Sequence, residues 1–325
     1  MPSGKHARRA PAGDAARAFL VGLGLPPGDL HDLPSSSKRF RDGAAYRVEL
    51  PSVEGPRCLE ATLEEAERLK VPVHRVSQGS GVFLQTDAEL QEMAALARAA
   101  RTEVSLFARP NAGWGLSAAA RAHPGFAACA MGQEQVVAAL QDSVRAAEHG
   151  FRSVLVADVG TLFALDRARG TLLPATMQAK VSVMLPAANP MAARVFADLG
   201  ASTINLPTDL TLAQIAAIRS AIDLPLDIYV EAPDNLGGFL RHHEIPELIR
   251  VAAPVYLKFG LRNAPDIYPA GGHMASTVVA LARERVRRAR LGLELLERSA
   301  DRPQMSEVGA ADLAIPVAAP AAAVP

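Results

Sequence analysis

Cysteine is nearly missing from this chain: two in 325 residues, Cys58 and Cys129. That count excludes a Cys-only zinc site, a four-Cys iron–sulfur cluster within one chain and a disulfide framework. A reducing cytoplasm is the expected compartment. Aromatic residues make up 5% against 49% hydrophobic overall, with one tryptophan, so the core has to be aliphatic. Net charge is missing too, since Lys+Arg and Asp+Glu both number 34. Nothing in that balance points to nucleic acid, a membrane surface or an acidic partner. The longest early apolar run, 18–25, is about half the length of a membrane span, and no small-residue cleavage pattern follows it. No targeting or membrane-spanning segment is expected.

What the chain does have is alternation. Short β-branched runs at 45–50, 73–76, 104–108, 153–157, 179–184, 202–206, 226–230 and 254–259 are interleaved with helical patterns. Eight such strand-then-helix units predict a parallel (β/α)8 TIM barrel, a fold of about 250 residues. The clearest unit is 199–225. It has a β-branched strand, a Thr/Asp start signal, and Leu212, Ile215, Ile218 and Ile222 on one helical face. The barrel is expected over 44–299. Before it comes a partly disordered N-terminal extension (1–43), with a short helix from Asp14 and a basic loop at 35–43 read as solvated linker. After it comes a disordered Ala/Pro-rich tail (300–325). The loop 109–132, which holds Trp114, is long enough to be a lid.

In a parallel barrel the chemistry sits at the carboxyl ends of the strands. On this register those ends carry Glu49; His74 with Arg75; Arg109; Asp158; Asn205; Glu231 with Asp234; and Lys258 with Arg262 and Asn263. The catalytic candidates are Glu231, Lys258 and Asp158. Glu231 and Asp158 serve as acid and base, and Lys258 as a proton donor or, if desolvated, a nucleophile. Arg75, Arg109 and Arg262, with Asn205 and Asn263, would hold an anionic or carbonyl-bearing small substrate. Adjacent strand ends lead us to expect a Glu231–Lys258 pair at the mouth. Glu49 and His74 are ligand types that a divalent metal would take, although their spacing is not diagnostic. His242–His243 reads as a surface pair. No nucleotide fingerprint is present, and nothing in the sequence sets an oligomeric state.

The run GASTINLPTDLTLAQIAAIR at 200–219, with LDIYVEAP after it and RSVLVADVGTL before it, resembles the collagenase-like peptidases of unassigned catalytic type (peptidase class U, thirty-second family). Their strand-six unit has the form G-A-x-x-(apolar)-x-L-x-x-(acid)-L-(S/T)-L-x-x-I. The resemblance spans about 44–262 and is densest over strands four to seven. It implies a cytoplasmic barrel enzyme that hydrolyses a peptide or small amide-type substrate. Family members follow the strand-seven acid with His-Gly and a set of cysteines, which in several relatives bind an iron–sulfur cluster. Here that region reads VEAPDNLGGFLRHHEIPEL, so Glu231 alone carries over and no cluster is expected. Two other readings stay open: a lyase or isomerase using Lys258 beside a carbonyl, and a non-catalytic barrel kept as a partner or subunit.

Overall fold

Eight parallel strands close on themselves in chain order in the computed structural model, which describes residues 12–25, 27, 32–109, 118, 122, 128–299 and 301–319. They are β1 (Tyr46–Pro51), β2 (Arg75–Ser77), β3 (Glu103–Phe107), β4 (Ser153–Val156), β5 (Gln178–Val181), β6 (Thr203–Asn205), β7 (Leu226–Glu231) and β8 (Val255–Phe259). After a leading helix α1 (Ala12–Gly22), the outer ring is α2 (Pro56–Leu69), α3 (Asp87–Ala99), α4 (Gln133–Glu148), α5 (Val159–Ala168), α6 (Pro190–Asp198), α7 (Leu212–Ala221), α8 (Ile245–Ala252) and α9 (Ala275–Glu297). The leader 1–11 and most of the candidate lid, Trp114 included, lie outside the described residues.

Period-two alternation within the strands sets the architecture. Val48, Leu50, Val76, Val104, Leu106, Val154, Val156, Ile204, Ile228 and Val230 join the helices' apolar faces in one continuous core between sheet and helix ring. Helix starts follow local chemistry. Thr86 and Glu89 form a reciprocal cap on α3, Thr211 and Gln214 another on α7, and Asn189 caps α6. The other strand face points into the barrel, and there the sequence places charge instead of branched aliphatics.

The C-terminal segment corrects the expectation of a mobile tail. Residues 301–319 form a strap across the amino-terminal face of the barrel. Ala45 N–H donates to the Gln304 carbonyl, Ser306 N–H to that of Tyr46, and Val317 N–H to that of Gly150. Leu313 packs with Phe40 and Tyr256 to close the barrel floor. The fully buried Arg47 guanidinium is held by Ser306 Oγ at 2.9 Å, Tyr256 Oη at 3.0 Å and Asp312 Oδ1 at 2.5 Å. Gly150 is required here: its φ is +94°, and a Cβ would stand 2.1 Å from the Val317 carbonyl oxygen. The basic loop before β1 is not solvated linker either. Lys38 Nζ donates to the carbonyls of Arg219 and Ile222 at the end of α7 and pairs with Asp223.

His74, the metal candidate, belongs to this floor. It precedes β2, so it lies at the amino-terminal end of the barrel rather than the mouth. Its Nδ1 accepts from Val48 N–H at 3.1 Å and its Nε2 lies 2.8 Å from the Ser306 carbonyl. Those partners define a neutral imidazole with the proton on Nε2. Burial, the largest influence, pushes its pKa down from 6.5 to about 4.

Two outcomes follow from the floor. Truncation after residue 300 strips Arg47 of two partners. Losing one partner of a buried charge costs about 3–5 kcal/mol, so the melting temperature should fall on the order of 10 °C; an unchanged melt would show that the strap is dispensable. Because the His74 pKa is lower in the folded than in the unfolded chain, its contribution is complete above pH 6.5 and is lost as the pH falls toward 4. His74→Gln should flatten the stability–pH slope in that window, as read by urea unfolding.

Candidate functional site

Inside the barrel, Glu49 of β1 is the hub. Register sets it beside Arg75 of β2 on one side and Lys258 of β8 on the other. Its Oε2 accepts from Arg75 Nε at 2.8 Å and from Lys180 Nζ of β5 at 2.8 Å. Its Oε1 accepts from Ser77 Oγ at 2.9 Å and lies 3.3 Å from Lys258 Nζ. Across the barrel, Asp227 of β7 pairs with both Arg75 and Lys180 and accepts from Thr203 Oγ1 at 3.0 Å. Glu103 of β3 stands 3.8 Å from Arg75. The Arg75 guanidinium also lies 3.5 Å above the Tyr256 ring, and Lys258 Nζ sits 4.6 Å from the centre of Tyr229. Three cations and three carboxylates thus balance in a volume that water barely reaches.

The electrostatics follow from that count. Burial would raise the Glu49 carboxyl, yet Arg75, Lys180 and Lys258 together hold it well below the usual range. Lys180 is the opposite case. Burial, then the neighbouring Arg75, lowers its ammonium to about 8, and these outweigh the attraction of Asp227 and Glu49. Near neutral pH this lysine is therefore within reach of proton exchange. Beside the network, the Ser105 and Ser153 hydroxyls on adjacent strands are buried without hydrogen-bond partners. A cavity of about 310 Å³ opens beyond β5, β6 and β7, lined by Val183, Pro207, Thr208, Asp209, Leu236, Gly237 and Phe239.

The sequence-derived candidates divide in this frame. Lys258, Arg75 and Glu49 come together, and Asn205 lies on the same interior face, opposite Asp227 in register. Glu231 does not join them. The register shifts between Tyr229 and Glu231, where 239–241 folds back onto the strand, and this turns the carboxylate outward. Its Oε1 accepts from Arg262 N–H at 2.8 Å, and its Oε2 lies 3.7 Å from His242 Nε2 and 3.8 Å from Arg288 of α9. The expected Glu231–Lys258 pair is therefore replaced by Glu49–Lys258, and His242 is a buried partner rather than a surface residue. Asp158 caps α5, accepting from Thr161 N–H at 2.7 Å and from Ala130 N–H at 3.2 Å. Arg109 lies against Phe107 at the mouth end of β3. Arg262 and Asn263 are tied to Asp234 at the rim, Arg262 through Nε at 3.0 Å. Glu49 and His74 do not converge, and no group of three metal-ligand residues occurs among the described residues.

Attention to strand ends alone misses Lys180, Asp227, Glu103, Thr203, Tyr229 and Tyr256. Their signal lies within the strands rather than at their carboxyl ends. Parallel strands buried on both faces read as continuous apolar runs, whereas these strands carry polar groups at alternate positions: Arg47 and Glu49, Glu103 and Ser105, Gln178 and Lys180, and Asp227 and Tyr229.

Residues 128–232, which run from just before α4 through the end of β7, match the model of peptidase family U32. No curated protein matches the chain. Among solved structures, the U32 peptidase Mk0906 shares 16% identity over 63% of this chain and 73% of its own, with a TM-score of 0.38. Phosphonopyruvate hydrolase in complex with oxalate and Mg²⁺ shares 15% over 75% and 83%, at 0.40. Thiamine phosphate pyrophosphorylase from Pyrococcus furiosus shares 10% over 78% and 98%, at 0.43. Likenesses this distant bear on neither activity nor site. The segment that matches is the one in which the strand-six motif lies, so residues 128–232 are similar to peptidase family U32, in a chain with two cysteines in its whole length.

Proposed function

We propose that this barrel hydrolyses a small anionic amide or peptide, with proton transfer carried out in the interior network rather than by Glu231 and Asp158. The observation that carries this reading is the Glu49 hub, a carboxylate held ionised among Arg75, Lys180 and Lys258 at positions where a merely structural barrel packs branched aliphatics. Buried ion pairs are weak contributors to stability, so packing gives little reason to place six charges here. Hydrolysis itself comes from the family; the residues argue for acid/base chemistry on a substrate that complements positive charge.

In this reading the substrate enters through the cavity beyond β5 to β7, above the strands that carry Lys180, Asn205 and Asp227. Water adds to the carbonyl carbon as the C–N bond breaks, and Lys180, with its pKa near 8, gives a proton to the departing nitrogen and takes one back from that water. Glu49 and Asp227 orient that ammonium. Arg75 is fully engaged by both carboxylates and serves the network. A second reading draws on the same lysine: an amine at pKa 8 is also suited to imine formation with a carbonyl substrate.

A panel of short N-acylated and free peptides, followed by mass spectrometry, tests the first reading. Rates per folded molecule should fall about 10²–10⁴-fold in Lys180→Met and stay near wild type in Glu231→Gln. Loss in Glu231→Gln with retention in Lys180→Met would reverse the assignment. Since Lys180 must be protonated to act as an acid, kcat/KM should decline as the pH rises through about 8. Borohydride treatment with a panel of 2-oxo acids should leave no reduced adduct on Lys180; an adduct there would instead favour the imine reading.

A further inference from the structure

Behind β7, two buried polar atoms face each other without bonding. Glu231 is fully buried and His242 is 8% exposed, and neither Glu231 Oε2 nor His242 Nε2 has a hydrogen-bond partner among the described residues. They stand 3.7 Å apart, and Arg288 Nη1 of α9 lies 3.8 Å from the same carboxylate oxygen. Both gaps are longer than a hydrogen bond and of the length that a bridging water closes. The other carboxylate oxygen is in use, since Oε1 accepts from Arg262 N–H at 2.8 Å.

The sense of these groups decides what fits between them. A carboxylate only accepts. The His242 ring hydrogen-bonds the Arg288 backbone in a way that favours its N–H, and because Nε2 has no partner that bond comes from Nδ1. Nε2 then presents a lone pair, so two acceptors face one another. Burial lowers the pKa of this ring below its ordinary value against the pull of Glu231, which keeps it neutral. The occupant therefore has to donate twice, and the guanidinium beside it offers a bond to accept. Water does both, whereas a cation would be repelled by Arg288. Arg288 is steadied by Glu284, Nε to Oε1 at 2.8 Å, and its side chain is 32% exposed, so the site borders on solvent.

We infer that Glu231, His242 and Arg288 hold one buried water, which accepts from Arg288, donates to Glu231 Oε2 and His242 Nε2, and fixes the carboxylate as an anchor of the cavity wall. About three bonds are usual for a buried water. With Oε2 held, Oε1 stays aimed at Arg262 N–H. Arg262 in turn pairs through Nε with Asp234 at 3.0 Å and donates from Nη1 to the Gly238 carbonyl. The same loop supplies Leu236, Gly237 and Phe239 to the cavity beyond β5 to β7. Glu231 is thus a positioning residue, and its role does not depend on the reaction proposed for the interior network.

A high-resolution crystal structure of the full chain reads the site directly. We expect one ordered water within about 3.2 Å of all three atoms; Glu231 and His242 in direct contact, with no water between them, would overturn the inference. Nitrogen NMR of histidine-labelled protein at neutral pH gives a second reading on the unaltered chain. His242 should be the Nδ1–H tautomer, and a proton on Nε2 would mean that the ring bonds Glu231 itself and that no bridge exists. The anchoring role is read in His242→Phe, which removes the acceptor and keeps a ring. Amide exchange at Arg262 should be about tenfold faster than in wild type, the range of one lost bond to a charged group. Unchanged exchange there, in a variant whose circular dichroism matches wild type, would overturn the anchor.

Discussion

Charge balance in a closed space is the constraint on which this structure turns. Glu49 cannot be moved without consequence because it answers Arg75, Lys180 and Lys258 at once, and Asp227 can answer no more than two of them. An unpaired charge in such surroundings is costly, so the six groups must be placed together by six different strands. Strand register does the placing. A slip of one residue in any of them would exchange its charged face for its aliphatic one. The same register that fills the outer core with valine and leucine thus assembles the polar interior.

Sealing is the corollary. A charged interior keeps its shifted pKa values while water is kept out, and the two ends of the barrel are closed in different ways. At the floor, Phe40, Tyr256 and Leu313 pack together beneath Arg47 and the strap crosses over them. At the mouth the described residues leave an opening beyond β5 to β7. Among the described residues the opening therefore lies at the carboxyl ends of the strands. The outward turn of Glu231 fits this division. It belongs to the junction of β7, His242 and α9, where it anchors the Arg262 backbone and faces Arg288.

The fold and the strand-six motif are legible directly in the chain, as are the leading helix and the caps at Thr86 and Thr211. These are local matters of period, capping and turn chemistry, which neighbours in sequence decide among themselves. Lys258, Arg75, Glu49 and Asn205 are also legible as residues of the interior, because any polar group in so apolar a strand has to face either the pocket or a partner. Absence is informative as well: two cysteines and no net charge by themselves narrow the chemistry open to the chain.

Partnership was decided by tertiary structure alone. Whether Glu231 meets Lys258 depends on a register shift in β7 that no local pattern announces, and without that shift the pair would be plausible. Whether Lys180 titrates near 8 depends on Arg75, more than a hundred positions earlier in the chain, and on burial by the whole ring. The strap carries the same lesson. Its Ala- and Pro-rich sequence has no periodicity of its own, and it is ordered by a surface that exists only once the barrel has closed, where Arg47 takes its aspartate, His74 its Ser306 carbonyl and Gly150 its Val317 amide. Period and capping are short-range properties and are written in the sequence, whereas charge pairing and the seating of an irregular segment are set by distances between strands that meet only in the folded barrel.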